Sequence, residues 1–280
     1  MLRILLKLGC NAIISSMTNE IALYVHWPFC QSKCPYCDFN SHVSESVDQN
    51  RWRNALVREL NHHGEATSGQ KLTSIFFGGG TPSLIAPKTV SSIIEGARAN
   101  WRCDNELEIT MEANPSSSDR ARFTAYRKAG VNRLSLGIQS LDERTLKFLG
   151  RNHSVMEARN AIASAKESFD RISFDFIYAW PGQKECSWRE ELAMAIDLSC
   201  GHLSLYQLTI EPGTPFFRDG IPAASEEHGA VLFEATLKMT ADAGLHAYEI
   251  SNHSKAGFES RHNLTYWEGG NYIGIGPRST

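Results

Sequence analysis

The sequence predicts an α/β fold built on a parallel sheet, and three observations carry that prediction. Short apolar runs of strand length alternate with amphipathic windows of helical period from Ile21 to about Pro212. Several of those windows are preceded by Ser, Asp or Pro, residues that favour a helix start. The 280 positions are 42% hydrophobic, enough to bury a large core as one big domain or one plus a small appendage. The expected strands are 21–26 (IALYVH), 72–77 (LTSIFF), 106–113 (ELEITMEA), 133–140 (RLSLGIQS), 171–178 (RISFDFIY) and 202–210 (HLSLYQLTI). Between them the expected helices are 49–63, 87–99, 119–129, 155–168 and 188–198, with a longer one at 225–244 beyond the last strand. Six β/α units in a row, joined by right-handed crossovers, curl a parallel sheet into a barrel or part of one.

Parallel α/β sheets hold their ligands at the carboxyl ends of the strands. The first strand ends in YVHWPFCQSKCPYCDFN, which places Cys30, Cys34 and Cys37 on one short loop. Three thiolates so spaced can hold three irons of a [4Fe–4S] cube and leave the fourth open to a small molecule. A structural zinc site wants a second Cys pair, which this chain lacks. A disulfide framework is disfavoured by the odd count of seven cysteines without dense spacing. Cys10, Cys103, Cys186 and Cys200 are scattered and read as ordinary core or surface residues.

The string from Tyr24 to Phe39 resembles the C-x3-C-x2-C signature of the radical S-adenosylmethionine (SAM) superfamily, with flanks similar to its HemN/HemW branch: Tyr24, His26, Pro28, Phe29 and Asp38 agree as well as the thiols. The resemblance implies a partial (β/α)6 barrel, a [4Fe–4S] cluster on Cys30, Cys34 and Cys37, and SAM on the open iron, cleaved there to a 5′-deoxyadenosyl radical. It further implies that Tyr24 lines the SAM site and that Tyr36 packs on the adenine. Gly79, Gly80 and Thr81, after the second strand, would take the methionyl end, Glu112 would also bind SAM, and Gln139, Arg151 and Asp175 would bind SAM or a neighbouring ligand. From the residues alone, three glycines let a backbone approach a ligand closely, and a tight strand-to-helix turn is the plain alternative. An Asp in the apolar FDFIY is costly unless a polar partner meets it.

Two features place the chain within the branch. HemN proper carries a fourth cysteine two residues after the third, where this sequence has Phe39, and the string His262 to Trp267 (HNLTYW) resembles the HNxxYW motif of the haem chaperones. Imidazole is a common axial haem ligand and the adjacent rings can stack on a porphyrin. The resemblance therefore implies a haem chaperone that carries haem as well as the cluster and SAM, with His262 on haem. Its partners would be haem-accepting proteins of the respiratory chain and an electron donor for the cluster, with peripheral membrane association. The competing implication is an oxygen-independent coproporphyrinogen III dehydrogenase.

A formal net charge of −3 offers no basic footprint for nucleic acid. No run of about 18 apolar residues occurs to span a bilayer. Residues 1–19 are apolar and basic, interrupted by Lys7, Gly9 and Asn11, and read as an extension upstream of a natural start at Met17. The expected organisation is that extension, a barrel over 20–215, and a C-terminal region beginning at 216 that stops short of the family's usual continuation. Free thiols and an exposed cluster point to the cytoplasm.

Overall fold

A computed structural model of the chain describes residues 19–117 and 119–279. The extension at 1–18, with Met17 and Cys10, lies outside the described residues. In chain order the strands are β1 (Glu20–Trp27), β2 (Phe29–Cys30), β3 (His42–Val43), β4 (Lys71–Gly79), β5 (Arg102–Ala113), β6 (Arg133–Gln139), β7 (Arg171–Tyr178), β8 (His202–Gln207), β9 (His246–Ala247), β10 (Asn252–Ser254) and β11 (Asn271–Ile275). The helices are α1 (Gln49–Ala66), α2 (Pro87–Asn100), α3 (Arg120–Ala129), α4 (Glu143–Phe148), α5 (Val155–Ser168), α6 (Glu185–Leu198), α7 (Pro215–Arg218), α8 (Glu226–Asp242) and α9 (Arg261–Trp267).

β1, β4, β5, β6, β7 and β8 pair in that order, all parallel, which meets the expectation of six β/α units. The helices start where local chemistry provides a partner for their first amides. Asp119 caps α3, and at α5 Ser154 and Glu157 form a reciprocal capping box. Proline opens α2, where no amide hydrogen is needed.

Strand side chains alternate between two faces. Leu23, Ile75, Ile109, Leu134, Ile172 and Leu203 are buried in the large apolar core. Tyr24, Phe76, Thr110, Ser135, Ser173 and Ser204, each one residue out of step with that set, line one interior cavity. A single space bordered by all six strands requires the sheet to curl, so the mostly polar face turns inward and the apolar face outward to the helices.

The stretch after residue 215 joins this sheet. β11 runs parallel to the outer side of β1, β10 pairs antiparallel with β8, and β9 with β10. α9 packs against β4 and β11. Its position is fixed by buried charge: Arg133 pairs with Glu108 at 3.2 Å and also donates to the carbonyls of Phe258 and Glu259, just ahead of the helix. Neither charge would tolerate burial without the other.

Candidate functional site

The cysteine loop leaves β1 and is closed by a short parallel pairing of β2 with β3. Its base is held from below, where Gly80 N–H donates to Trp27 O and Thr81 N–H to Phe29 O. A Cβ on Gly80 would lie 2.8 Å from Phe29 O and 3.0 Å from the Cys30 sulfur, so the glycine that follows β4 is what lets the two turns stack. The Phe29 ring packs edge-on against Trp27 and Trp52, anchoring the loop to α1. Within the loop, Cys37 N–H donates to Cys34 O, and the Lys33 ammonium reaches the carbonyls of Phe39 and Ser41. Burial pushes the Cys37 thiol up, opposed by the Phe39 backbone and the Ser41 hydroxyl.

The three thiols open on a cavity of about 800 Å3 at the carboxyl ends of the strands. Its lining includes the polar residues Thr81, Glu112, Gln139, Arg151 and Asp175 and the apolar residues Leu205, Leu208, Phe233, Ile250 and Phe39, the last with an exposed ring. Glu112 accepts from Gly79 N–H at 3.2 Å, and Asp175 accepts from the Ser135 hydroxyl at 3.0 Å. Burial, reinforced by the nearby Asp175 charge, pushes the Glu112 carboxyl up to about 8. Burial likewise raises Asp175 to about 6, against the hydroxyls of Ser204 and Ser135.

Two side chains that line this space each carry a buried polar atom without a partner. Gln139 Oε1 and Arg151 Nε are buried and find no partner among the described residues. Gln139 also holds a left-handed backbone, φ 67°, where β6 shifts register against β7. A non-glycine residue there is strained, and such strain concentrates at ligand sites. Arg151 donates through Nη1 to the Cys34 sulfur at 3.2 Å and through Nη2 to Gly137 O at 3.1 Å.

The structure thus brings Cys30, Cys34, Cys37, Tyr36, Gly79, Gly80, Thr81, Glu112, Gln139, Arg151 and Asp175 to one cavity. Tyr36 tilts against Phe216, docking the loop on a small apolar cluster that includes Leu149, Ile177 and Leu208. Two expected residues are placed elsewhere. Tyr24 lies one level lower, in a second cavity of about 220 Å3 that shares Glu112, Ser135, Asp175 and Tyr206 with the first. Its hydroxyl lies 3.2 Å from His26 Nδ1, and His26 Nε2 lies 2.9 Å from Asn40 O. His26 thus links the barrel wall to the cysteine loop.

His262 also faces the lower cavity and is 2% exposed. Its Nδ1 lies 2.9 Å from the Ser74 hydroxyl, its Nε2 lies 3.1 Å from the Tyr266 hydroxyl, and its ring stacks on Phe76 at 5.0 Å. Burial lowers its pKa to about 3. The expected axial haem ligand thus has both ring nitrogens within hydrogen-bond distance of protein hydroxyls in this arrangement. Tyr266 and Trp267 of the same motif are 42% and 55% exposed.

The cofactor expectations face a geometric test in the same residues. Among the described residues, no three His, Cys, Asp or Glu side chains converge on a point suited to one metal ion. A four-iron cube takes its thiolates at separate corners, and the loop offers three facing one space. The open atoms of Gln139 and Arg151 and the glycine cradle fit a polar ligand beside it. Sequence reasoning missed Lys33, Gly150 and Asn152, which hold the loop; Lys33 was legible only as a cation inside the motif.

The sequence profile of the Radical SAM superfamily matches residues 24–195. Radical S-adenosyl methionine domain-containing protein 1, mitochondrial, of Mus musculus is 41% identical over 276 residues, covering 97% of this chain and 62% of the relative. The haem chaperone HemW of Escherichia coli is 40% identical over 260 residues, covering 91% of this chain and 68% of HemW. Among solved structures, coproporphyrinogen III oxidase (HemN) of Escherichia coli, a radical SAM enzyme, superposes with a TM-score of 0.78 over 93% of this chain and 64% of that one, at 21% identity. The chain thus spans a little over 60% of the length of the animal relatives it matches. No helix among the described residues is long and apolar enough to cross a membrane.

Proposed function

Because this chain belongs to the radical SAM superfamily, in the branch that includes HemW and HemN, we propose that it is a haem chaperone of the HemW type that carries a SAM-ligated [4Fe–4S] cluster. The observation that carries this reading is the convergence of three thiols, a glycine cradle and two unpartnered buried polar atoms on one cavity. Cys30, Cys34 and Cys37 hold the cluster. Such a cluster, when bound, supplies one electron at a low potential. The backbone at Gly79 and Gly80 and the Thr81 hydroxyl receive the methionyl end of SAM. Glu112 takes its ammonium group, whose positive charge offsets the cost of ionising a buried carboxyl. Gln139 Oε1 and Arg151 Nε supply the acceptor and donor they now leave unused. Asp175 is held by Ser135 on the far side of the same space.

Two features favour a carrier over a dehydrogenase. Phe39 occupies the position of the fourth cysteine, with its ring 59% exposed at the cavity edge. The relatives that name a haem function are chaperones. The apolar residues in the cavity lining, Leu208, Phe233 and Ile250 among them, suit an apolar guest. Delivery to respiratory haemoproteins, with an electron donor serving the cluster, completes the proposal. Reducing surroundings such as the cytoplasm suit the thiols, and cell fractionation would distinguish that location from the mitochondrial one named for the animal relatives.

The test is anaerobic reconstitution followed by two parallel incubations. Titration with haemin should give a Soret band, and incubation with SAM, reductant and coproporphyrinogen III should leave the porphyrinogen unchanged. Decarboxylation of coproporphyrinogen III at a rate set by SAM cleavage would replace the chaperone with the dehydrogenase.

A further inference from the structure

Three consecutive residues after α4 each meet a different residue of the cysteine loop. Gly150, at φ 64°, lies against Pro35 so closely that a Cβ would stand 2.5 Å from the proline Cδ. Arg151 donates to the Cys34 sulfur, and Asn152 Nδ2 donates to the Ser32 hydroxyl at 2.7 Å. The segment that carries them is itself fixed. Leu149 is fully buried, Arg151 N–H donates to Leu146 O, and His153 Nε2 lies 3.0 Å from Ile138 O. The cysteine loop gains one more tie there, from Phe216 N–H to Pro35 O.

The loop is anchored at its ends by β2 and β3 and at its middle by this segment. Without the middle contacts, Cys34 would hang on a span of exposed residues: Gln31, Ser32 and Lys33 are all solvent-facing. A cube fixes the separations of its ligands, so a loop already held at those separations loses less conformational freedom on binding.

We propose that Gly150, Arg151 and Asn152 form a clamp that sets the position of Cys34 relative to Cys30 and Cys37 before any cluster or SAM arrives, with Asn152 on Ser32 as its outer latch. These are positioning residues for the thiols, and the proposal rests on the cluster reading above. Arg151 ties the loop to the barrel, since Nη1 donates to the Cys34 sulfur and Nη2 to Gly137 O.

Asn152 and Ser32 are exposed, so their removal spares the core. The full chain is prepared as Asn152→Ala, Ser32→Ala, the double variant, Asn152→Asp and Gly150→Ala. Two quantities are read: iodoacetamide labelling of Cys34 relative to Cys37 in the cluster-free protein, and iron release to a chelator after reconstitution. Each alanine variant at the latch should raise both a few-fold. The double variant should match the worse single, because one contact has been removed twice. Asn152→Asp should behave as wild type, since a carboxylate accepts from the Ser32 hydroxyl. Gly150→Ala, which drives a methyl into Pro35, should act more strongly in the same direction.

Fully multiplicative effects of the two single changes, or no change in Cys34 labelling, would overturn the clamp. So would an equal rise in the labelling of Cys200, which reports general loosening. If the wild type takes up no iron, the cluster reading falls, and the labelling experiment still decides the clamp.

Discussion

His262 and Ser74, 188 residues apart in the chain, meet at 2.9 Å in the barrel interior. The contact pins α9 to the inner face of β4, and it assigns the imidazole of the HNLTYW string a structural partner on each nitrogen. His262→Ala removes the stack on Phe76 and leaves the Ser74 and Tyr266 hydroxyls without that partner. We expect a loss of about 3 kcal/mol in urea unfolding. The spin state of bound haemin should be unchanged; a switch in its EPR signal would return His262 to the haem.

Glu112 makes apo-protein stability depend on pH. Its carboxyl titrates at about 8 in the folded chain against 4.5 when free. A raised carboxyl contributes stability fully below its unfolded pKa, and that contribution is lost as pH rises through the folded value. Asp175, raised from 3.8 to about 6, adds the same sign over a lower window. Thermal melts should therefore fall between pH 5 and 8, and Glu112→Gln should flatten the upper part of that slope. An unaltered slope in the variant would show that Glu112 is not the titrating group.

Gly80→Ala tests the stacking of the two turns. The new methyl meets the Phe29 carbonyl and the Cys30 sulfur, and a backbone carbonyl cannot yield as a flexible side-chain end does. Iron uptake on reconstitution should drop severalfold while far-ultraviolet circular dichroism stays native. Full iron content in the variant would mean the cradle is slack.

Ligand assignment at the thiols is tested by iron and sulfide analysis. The wild type should bind about four irons, and Cys30→Ala, Cys34→Ala or Cys37→Ala should each abolish binding, whereas Cys103→Ala, at the opposite end of β5 from Glu112, should not. Gln139→Ala should keep the iron and weaken the effect of SAM on the EPR spectrum of the reduced cluster. Loss of iron in Gln139→Ala would place that residue in loop structure instead.

The strand and helix pattern was legible because side-chain periodicity is a local property of the chain. Val155–Ser168 is observed at its expected bounds, its start written in Ser154 and Glu157. The cysteine loop was legible because its ligands lie within one short segment, and the Gly-rich turn because glycine marks backbone proximity. Asp175 is a partial case: its cost in an apolar strand was readable, and its partner Ser135 was not.

What only the tertiary structure decided are the contacts that parallel pairing imposes between distant segments. Whether Tyr24 faces the upper or lower cavity depends on its level along β1 against β4, which side-chain alternation fixes only as to face. Asn152 looks like any polar loop residue until β6 and α4 carry it to Ser32, 120 positions away. His262 beside aromatics suggested an open ligand, because a sequence shows neighbours along the chain and not the Ser74 hydroxyl that the curled sheet brings to it. Local chemistry determined which residues form strands, helices and the thiol loop; the register and curvature of the sheet determined which of them meet.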